Sequence, residues 1–442
     1  MSFVRPKRGV LVVAASLSAV LLAAACGGSG GSSSGSGGSG SGSAAAVDLT
    51  KQGPTEYWAG KDTSGNLAKL ISQFNAQHPQ GKVTFHELPD NADQQQQQMI
   101  QATTTKNPNM GVISMDVVWT AQFAANGYVV ALPKDQFPTD KFLPATVSSA
   151  TYFNKLYGYP ASSDGGLLYY RKDLLQKAGI SDPPTTWSQL MQDCDKIKAQ
   201  AGNASLGCYA GQFQKYEGLT VNFAEAVNGA GAVIVGEDGK PNVNTDQAKQ
   251  GWSQIVSMYQ KGYIPKAAIT WQEEQGRQAF QSGQLIFLRN WPYVYALASK
   301  DDGSSKIVGK FGVAPLPGLN GPGVSSLGGH NMAIAANAAN KGTAADFIKF
   351  MTSEQTMKSN VLATSAAPTL TSLYTDSDIT KKYPYMPILL KSIETAKPRP
   401  KAVDYTDVTL AIEDAGYSTL QGQQQVDQAF STLQTKLQGL IK

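Results

Sequence analysis

The chain has 442 residues and a net charge of +4. Arg5, Lys7 and Arg8 supply three of those positives ahead of the first apolar run, so the remainder is close to neutral. With no basic stripe and no long charge run, nucleic-acid binding is excluded, and the length predicts two or three domain-sized units.

After that cationic start, Gly9 to Ala25 is apolar or small throughout and uncharged. A basic stretch, an apolar stretch and small residues at its end predict a secretory signal. The run is shorter than the roughly 20 residues of a membrane span. The segment Leu21-Leu22-Ala23-Ala24-Ala25-Cys26 resembles a bacterial lipobox, with Ala23 where leucine is usual and Leu22 one place back. The resemblance implies cleavage before Cys26, acylation of its thiol and a lipid anchor on the outer face of a cell membrane. Gly27 to Ser43 is only Gly and Ser. Such a linker behaves as a flexible coil with an r.m.s. span of roughly 20–25 Å. The G-x-S-x-G match at Gly27, Ser29 and Gly31 is a product of composition, because a nucleophile elbow needs a strand before it and a helix after it.

The body reads as alternating strands and helices. Thr55 to Trp58 is a short strand. Leu67, Leu70, Ile71 and Phe74 recur at helical spacing within Leu67 to Gln77. Lys82 to Leu88 alternates like a strand, Gln94 to Thr105 is a polar helix, Val112 to Val118 is a buried strand and Ala121 to Asn126 starts the next helix. Leu167 to Tyr170 opens a second set, followed by helices over Asp173 to Ala178 and Trp187 to Ala199, with Thr186 or Ser188 as the cap of the latter. Gln272 to Ser282 is a helix, Leu285 to Arg289 a strand, Met332 to Ala335 a strand and Ala344 to Met351 a helix. The last sixty or so residues are mostly helical. Repeated β-α units predict an α/β fold with mainly parallel pairing, and ligands in such sheets sit beyond the carboxyl ends of strands.

Beyond Cys26, the cysteines are Cys194 and Cys208. Exported, such a pair can close a short disulfide loop or remain as two buried thiols. His78, His86 and His330 have no metal-ligand spacing with one another or with a cysteine. No metal and no cofactor is expected.

Four motifs in register carry a resemblance over the whole body. Asp164-Gly165-Gly166-Leu167-Leu168-Tyr169-Tyr170-Arg171-Lys172-Asp173-Leu174-Leu175 followed by Pro183-Pro184-x-Thr186-Trp187 is the first. Ala279-Phe280-Gln281-Ser282-Gly283 with Asn290-Trp291-Pro292-Tyr293 is the second, Leu327-Gly328-Gly329-His330 the third and Pro398-Arg399-Pro400 the fourth. Together they resemble the extracellular solute-binding protein family 1, the substrate-binding lipoproteins of sugar ABC importers. Met115-Asp116-Val117-Val118-Trp119, Tyr216-Glu217-Gly218-Leu219 and Arg289-Asn290-Trp291-Pro292-Tyr293 resemble its trehalose/maltose-binding members most. The resemblance implies an α/β, two-lobed periplasmic-binding-protein-like fold of type II, like maltose-binding protein, with the sugar in the cleft. It implies a signal over 1–26, a linker over 27–46, lobe one over 47–160 plus 313–354 and lobe two over 161–312 plus 355–442. It also implies a non-enzymatic monomer whose partners are a small sugar, the permease subunits of an ABC importer and the membrane.

A neutral sugar offers hydroxyls at its edge and C–H groups on its faces. Carboxylates and arginine meet the first by charge-assisted hydrogen bonds, and aromatic rings cover the second. On that chemistry and the resemblance together, the expected contacts are Asp62, Thr63, Asp116, Asp164, Glu217, Trp291, Tyr293, Gly329, His330 and Arg399. Trp291 and Tyr293 form the stacking platform. Gly329 lets backbone approach the ligand. Asp116 either meets the ligand or caps the next helix, and Glu217 either meets the ligand or braces its lobe. Tyr57 and Trp58 are as consistent with core as with cleft. Gln94 to Gln98 carries glutamines where the trehalose/maltose members resemble an Arg-containing stretch. Two other readings stand beside capture of a sugar. A surface glycosidase would need two carboxylates about 5–9.5 Å apart, for which Asp116 and Asp164 are the candidates. The last is a binding protein for a peptide or another polar solute.

Overall fold

A computed structural model describes residues 47–201 and 205–441. The expected signal, the lipidated Cys26 and the Gly/Ser linker lie outside the described residues. Eleven strands are described: β1 (Thr55–Ala59), β2 (Val83–Glu87), β3 (Met110–Asp116), β4 (Thr151–Tyr152), β5 (Lys155–Leu156), β6 (Tyr159–Gly165), β7 (Leu167–Tyr170), β8 (Gly207–Ala210), β9 (Leu285–Asn290), β10 (Gly312–Ala314) and β11 (Leu327–Ile334). A five-stranded sheet has the order β2-β1-β3-β11-β6, and a four-stranded sheet the order β10-β7-β9-β8. Strands β4 and β5 form a separate hairpin.

The expectation of mainly parallel pairing is corrected. Pairing is parallel for β1 with β2 and β3 and for β8 with β9. Strand β11 runs antiparallel to both β3 and β6, and β7 runs antiparallel to β9 and β10. The reason is the chain's route. It leaves the first sheet along β6, builds the second, and comes back along β11 in the opposite direction.

The partition of the chain also differs from the expected boundaries. All of β6 belongs to the first sheet, so the first passage falls at Gly165–Leu167. Strand β10 pairs with β7, so Gly312–Ala314 stays with the second sheet, and the second passage is the loop 315–326. Helices Glu354–Thr364 and Met386–Glu394 put Met357, Val361, Met386, Leu389 and Ile393 into the cluster that holds Val112, Ile113 and Met332 of the first sheet and reaches Leu167, Tyr169 and Leu288 of the second. Helices Tyr405–Leu420 and Val426–Leu440 put Val408, Ile412, Phe430 and Leu433 into the core of the second. The third passage therefore lies between Glu394 and Tyr405 and carries Arg399.

The helices form where the apolar spacing places them. Asn66–Gln77 buries Leu70, Ile71 and Phe74 on one face, and Ala92–Thr104 begins earlier than expected because the Asn91 side chain accepts from the Gln94 N–H at 3.1 Å. Thr186 Oγ1 accepts from the Gln189 N–H at 3.2 Å and so starts Trp187–Ala201. Helix Glu217–Asn228 is buried at all 12 positions. Ahead of β1, the segment Lys51 to Pro54 is fastened to helix Lys341–Thr352 and its cap. Gln52 Nε2 donates to Asp346 Oδ2 at 2.9 Å, the Gly53 N–H donates to Thr343 Oγ1 at 3.1 Å, and Asn340 Nδ2 donates to the Pro54 carbonyl at 2.8 Å.

Cys194 and Cys208 are joined, with Cα atoms 5.6 Å apart and a sequence separation of 14. The bond fastens helix Trp187–Ala201 to β8. A loop of that length stabilises the fold by about 3 kcal/mol. Replacing both cysteines by alanine should lower the unfolding free energy by about that amount in urea titrations under non-reducing conditions.

Candidate functional site

A cleft of about 470 Å³ lies between the two sheets. All ten residues expected from the sequence line it: Asp62, Thr63, Asp116, Asp164, Glu217, Trp291, Tyr293, Gly329, His330 and Arg399. The volume falls in the usual range for small-molecule sites. Their surroundings give each of them a more definite job than its residue type alone.

Arg399 is buried and grips two carboxylates from different parts of the chain. Its Nη2 donates to Asp116 Oδ1 at 3.1 Å and to the Leu327 carbonyl at 3.4 Å, and its Nη1 donates to Glu217 Oε1. Asp116 ends β3 in the first sheet, while Glu217 begins the buried helix of the second. Burial works against the guanidinium, but Asp116 and Glu217 raise its pKa further above the ordinary range. Among the described residues, the buried Nε has no hydrogen-bond partner.

Asp116 and Glu217 both line the cleft, and both have structural partners. Asp116 caps the turn after β3 by accepting from the Val118 N–H at 3.1 Å, and it faces the cleft beside Arg399. Glu217 is a brace: Tyr405 donates to its Oε1 and Thr409 to its Oε2, each at 2.7 Å. Burial raises the Glu217 carboxyl to about 7 despite Arg399. Asp93, on helix Ala92–Thr104, accepts from the Glu217 N–H at 3.2 Å. With Glu413 these two make a cluster whose carboxylate oxygens lie within 4.8 Å of one another. Burial raises Asp93 to about 6 and Glu413 to about 8. These are the groups with metal-ligand spacing among the described residues. Their oxygens already accept from Tyr405, Thr409, Arg399 and a backbone N–H.

Trp291 and Tyr293 follow β9, at the cleft. The Arg289 guanidinium sits 3.9 Å from the Trp291 ring centroid, a cation–π contact that fixes the ring from its other side. Arg289 is itself held by Glu225, with Nε to Oε2 at 2.7 Å and Nη2 to Oε1 at 2.5 Å. The Tyr293 hydroxyl donates to Glu274 Oε1 at 2.7 Å, so its ring orientation is fixed too. Tyr216 donates to Glu273 Oε2 at 2.6 Å.

Two of the expected contacts also carry a structural role. Gly329 has φ 109°, and a Cβ there would come within 2.2 Å of the Ser162 carbonyl oxygen. The neighbouring strand, with its bulge beside His330, requires the glycine. Asp62 closes its own loop: it accepts from the Ser64 N–H, the Ser64 hydroxyl and, at 2.9 Å, the Leu67 N–H at the start of helix Asn66–Gln77. Thr63 stands beside it at the rim. His330 lies opposite Asp116 on β11, donates its backbone N–H to Ser162 Oγ at 3.1 Å, and is kept neutral by burial. Trp58 is core, stacked 3.8 Å from His86. Of the glutamines, Gln95 reaches the cleft, while Gln96 bonds Gln122 at 2.9 Å.

Sequence reasoning missed Tyr216, Glu273, Glu274 and Asn360 among the lining residues. The available signal was the pair of acids opening helix Glu273–Gln281, which reads equally well as an ordinary acidic first turn.

Comparison with known proteins matches this architecture. The family described as bacterial extracellular solute-binding protein matches residues 57–358. A probable ABC transporter-binding protein of Deinococcus radiodurans is 32% identical over 88% of this chain and 90% of its own. A galactooligosaccharide-binding protein of Bacillus subtilis is 24% identical over 90% of this chain and 92% of its own. The solved structure of maltose-bound T. maritima MalE3 superimposes with a TM-score of 0.83 at 30% identity, covering 87% of this chain and 99% of that one. The chain belongs to the bacterial extracellular solute-binding protein family, and its fold is the two-lobed one of maltose-binding protein.

Removing Arg399 should be costly whatever the ligand, because it leaves Asp116 and Glu217 facing each other without a cation. Arg399→Ala should lose about 3–5 kcal/mol of unfolding free energy in urea.

Proposed function

We propose that this protein captures a neutral α-linked disaccharide, of the trehalose or maltose kind, in the cleft and delivers it to the permease subunits of an ABC importer. The observation that carries the reading is the convergence on one cleft of a fixed aromatic platform, Trp291 and Tyr293, with the carboxylates Asp116 and Asp164. Rings cover the C–H faces of a sugar and carboxylates take its hydroxyls. Similarity to a maltose-bound structure along nearly its whole length supports the same class of solute.

In this reading the ten lining residues are the ligand-binding set, and no residue is catalytic. The lobes follow the two sheets, with the three passages between them acting as a hinge that closes on the sugar. The protein works as a monomer, tethered through acylated Cys26 and the Gly/Ser linker on the extracytoplasmic face.

Calorimetry against a panel of α-glucosides should find a disaccharide that binds in one site and is recovered intact after long incubation. Absence of binding to every mono-, di- and trisaccharide tested would sink the reading. Trp291→Ala should weaken that binding by about 2 kcal/mol; unchanged affinity would remove the platform. For the tether, cells fed radioactive fatty acid should label the wild-type chain and leave Cys26→Ala unlabelled. Equal labelling of both would reject the anchor.

A further inference from the structure

Asp164 stands apart from the other carboxylates that the cleft shields from water. Asp116 and Glu217 share Arg399. Glu273 receives Tyr216, and Glu274 receives Arg277 and Tyr293. Among the described residues, no hydrogen bond and no ion pair reaches the Asp164 carboxylate.

The groups packed around it are all committed elsewhere. Arg289 of β9 is bonded to Glu225 and Gln212. The Tyr169 hydroxyl of β7 donates to the Trp291 carbonyl at 2.9 Å, and that of Tyr374 to the Pro368 carbonyl at 2.8 Å. The Tyr385 hydroxyl lies 3.3 Å from the Ser365 carbonyl. From β11, Gly328 pairs with Asp164 and brings no side chain, while neutral His330 faces Asp116. The remaining charged neighbour, Asp116 of β3, is of like sign.

We propose that the cleft selects by charge: it takes a neutral, hydroxyl-rich solute that donates to Asp164 and drives the proton of that carboxyl into solvent, and it refuses a solute bearing phosphate or carboxylate. This rests on the sugar-capture reading above and deepens it. Burial, and then Asp116, raise the Asp164 carboxyl to about 7 against the pull of Arg289, so the empty cleft holds its proton near neutrality. Hydroxyls donating to the charged form favour that form, and the proton leaves with no other bond made or broken. Deep in the cleft an anionic solute would meet Asp116 and Asp164 with Arg399 already paired and Arg277 and Arg289 committed behind the wall; Lys61, the other cation lining the cleft, is exposed and acts on Glu274.

The sign follows from the direction of the shift. Solute binding lowers a raised carboxyl pKa, so affinity rises with pH. With the free carboxyl at about 7, binding at pH 8 should be about tenfold tighter than at pH 6. Asp93, Glu217 and Glu413 titrate in the same window, and they are present in both proteins compared below, so the difference isolates Asp164.

Two measurements test this. Thermal melts of the empty protein from pH 5 to 9 should show Asp164→Asn gaining on the wild type as the pH rises from 5 to about 7, with a level difference above about pH 8. A constant difference across the range overturns the proton held at Asp164. Maltose calorimetry at pH 7 in Tris and in phosphate should give the wild type a buffer-dependent heat equal to release of about half a proton, and Asp164→Asn should lose that component. A wild-type affinity independent of pH overturns the coupling, and glucose-6-phosphate binding as tightly as maltose overturns the charge filter. If no neutral sugar binds at all, the sugar reading falls and the selection built on it falls too, while the melts still decide where the proton sits.

Discussion

Arg289 and Glu225 face each other in a bidentate ion pair that is almost wholly withdrawn from water. Taking both charges out of solvent costs several kcal/mol each, and only full pairing offsets it. The remaining hydrogen-bonding capacity is therefore used as well: Gln212 accepts from Arg289 at 3.1 Å, and the Ser326 N–H donates to Glu225 at 3.2 Å. The pair lies against two of the passages between the sheets. A side chain at Gly166 would come within 2.6 Å of Glu225 and 2.8 Å of Arg289, so the first passage must be glycine there. The Gly166 N–H donates to Ser325 Oγ at 2.6 Å, which brings the second passage alongside. The same guanidinium lies over Trp291. Two of the passages and the Trp291 ring thus share one anchor.

That sharing extends along a single helix. Glu217 and Glu225 sit at the start and two turns into the fully buried Glu217–Asn228 segment, and each meets its own arginine. Arg399 arrives on the third passage and reaches across to Asp116 of the first sheet. One helix therefore carries a rigid pair beside two of the passages and a bridging pair at the cleft. The first is fixed by burial on all sides. The second joins elements of both sheets, so movement between them must change it.

The helices with clean 3.6-residue spacing, the long central strand and the ten lining residues were legible in the sequence, because periodicity and motif order are local signals. Strands β6, β8 and β10 were not. Strands β8 and β10 are short, and β6 is Tyr-Pro-Ala-Ser-Ser-Asp-Gly, which has no apolar alternation; it is held by pairing with β11 that no local pattern announces. The roles of the site residues were harder still. Gly329 was placed in the cleft for a ligand's sake, yet Ser162 is what excludes a side chain there. Asp62 was taken as a ligand contact, and its acceptor positions go to the loop it closes. A residue type shows what a group can do; which partner reaches it first depends on packing between distant segments.

The fastening of Lys51 to Pro54 onto helix Lys341–Thr352 has a mechanical consequence. Force arriving from the N-terminal side enters through Gln52, Gly53 and Pro54 and passes to Asp346, Thr343 and Asn340. That helix packs against the first sheet, where it buries Phe347 and Ile348. The load path therefore ends in one half of the molecule and never crosses the passages at 165–167, 315–326 or 395–404. A pull on the leading end loads the half that holds the first sheet and leaves the contacts between the two halves out of its path.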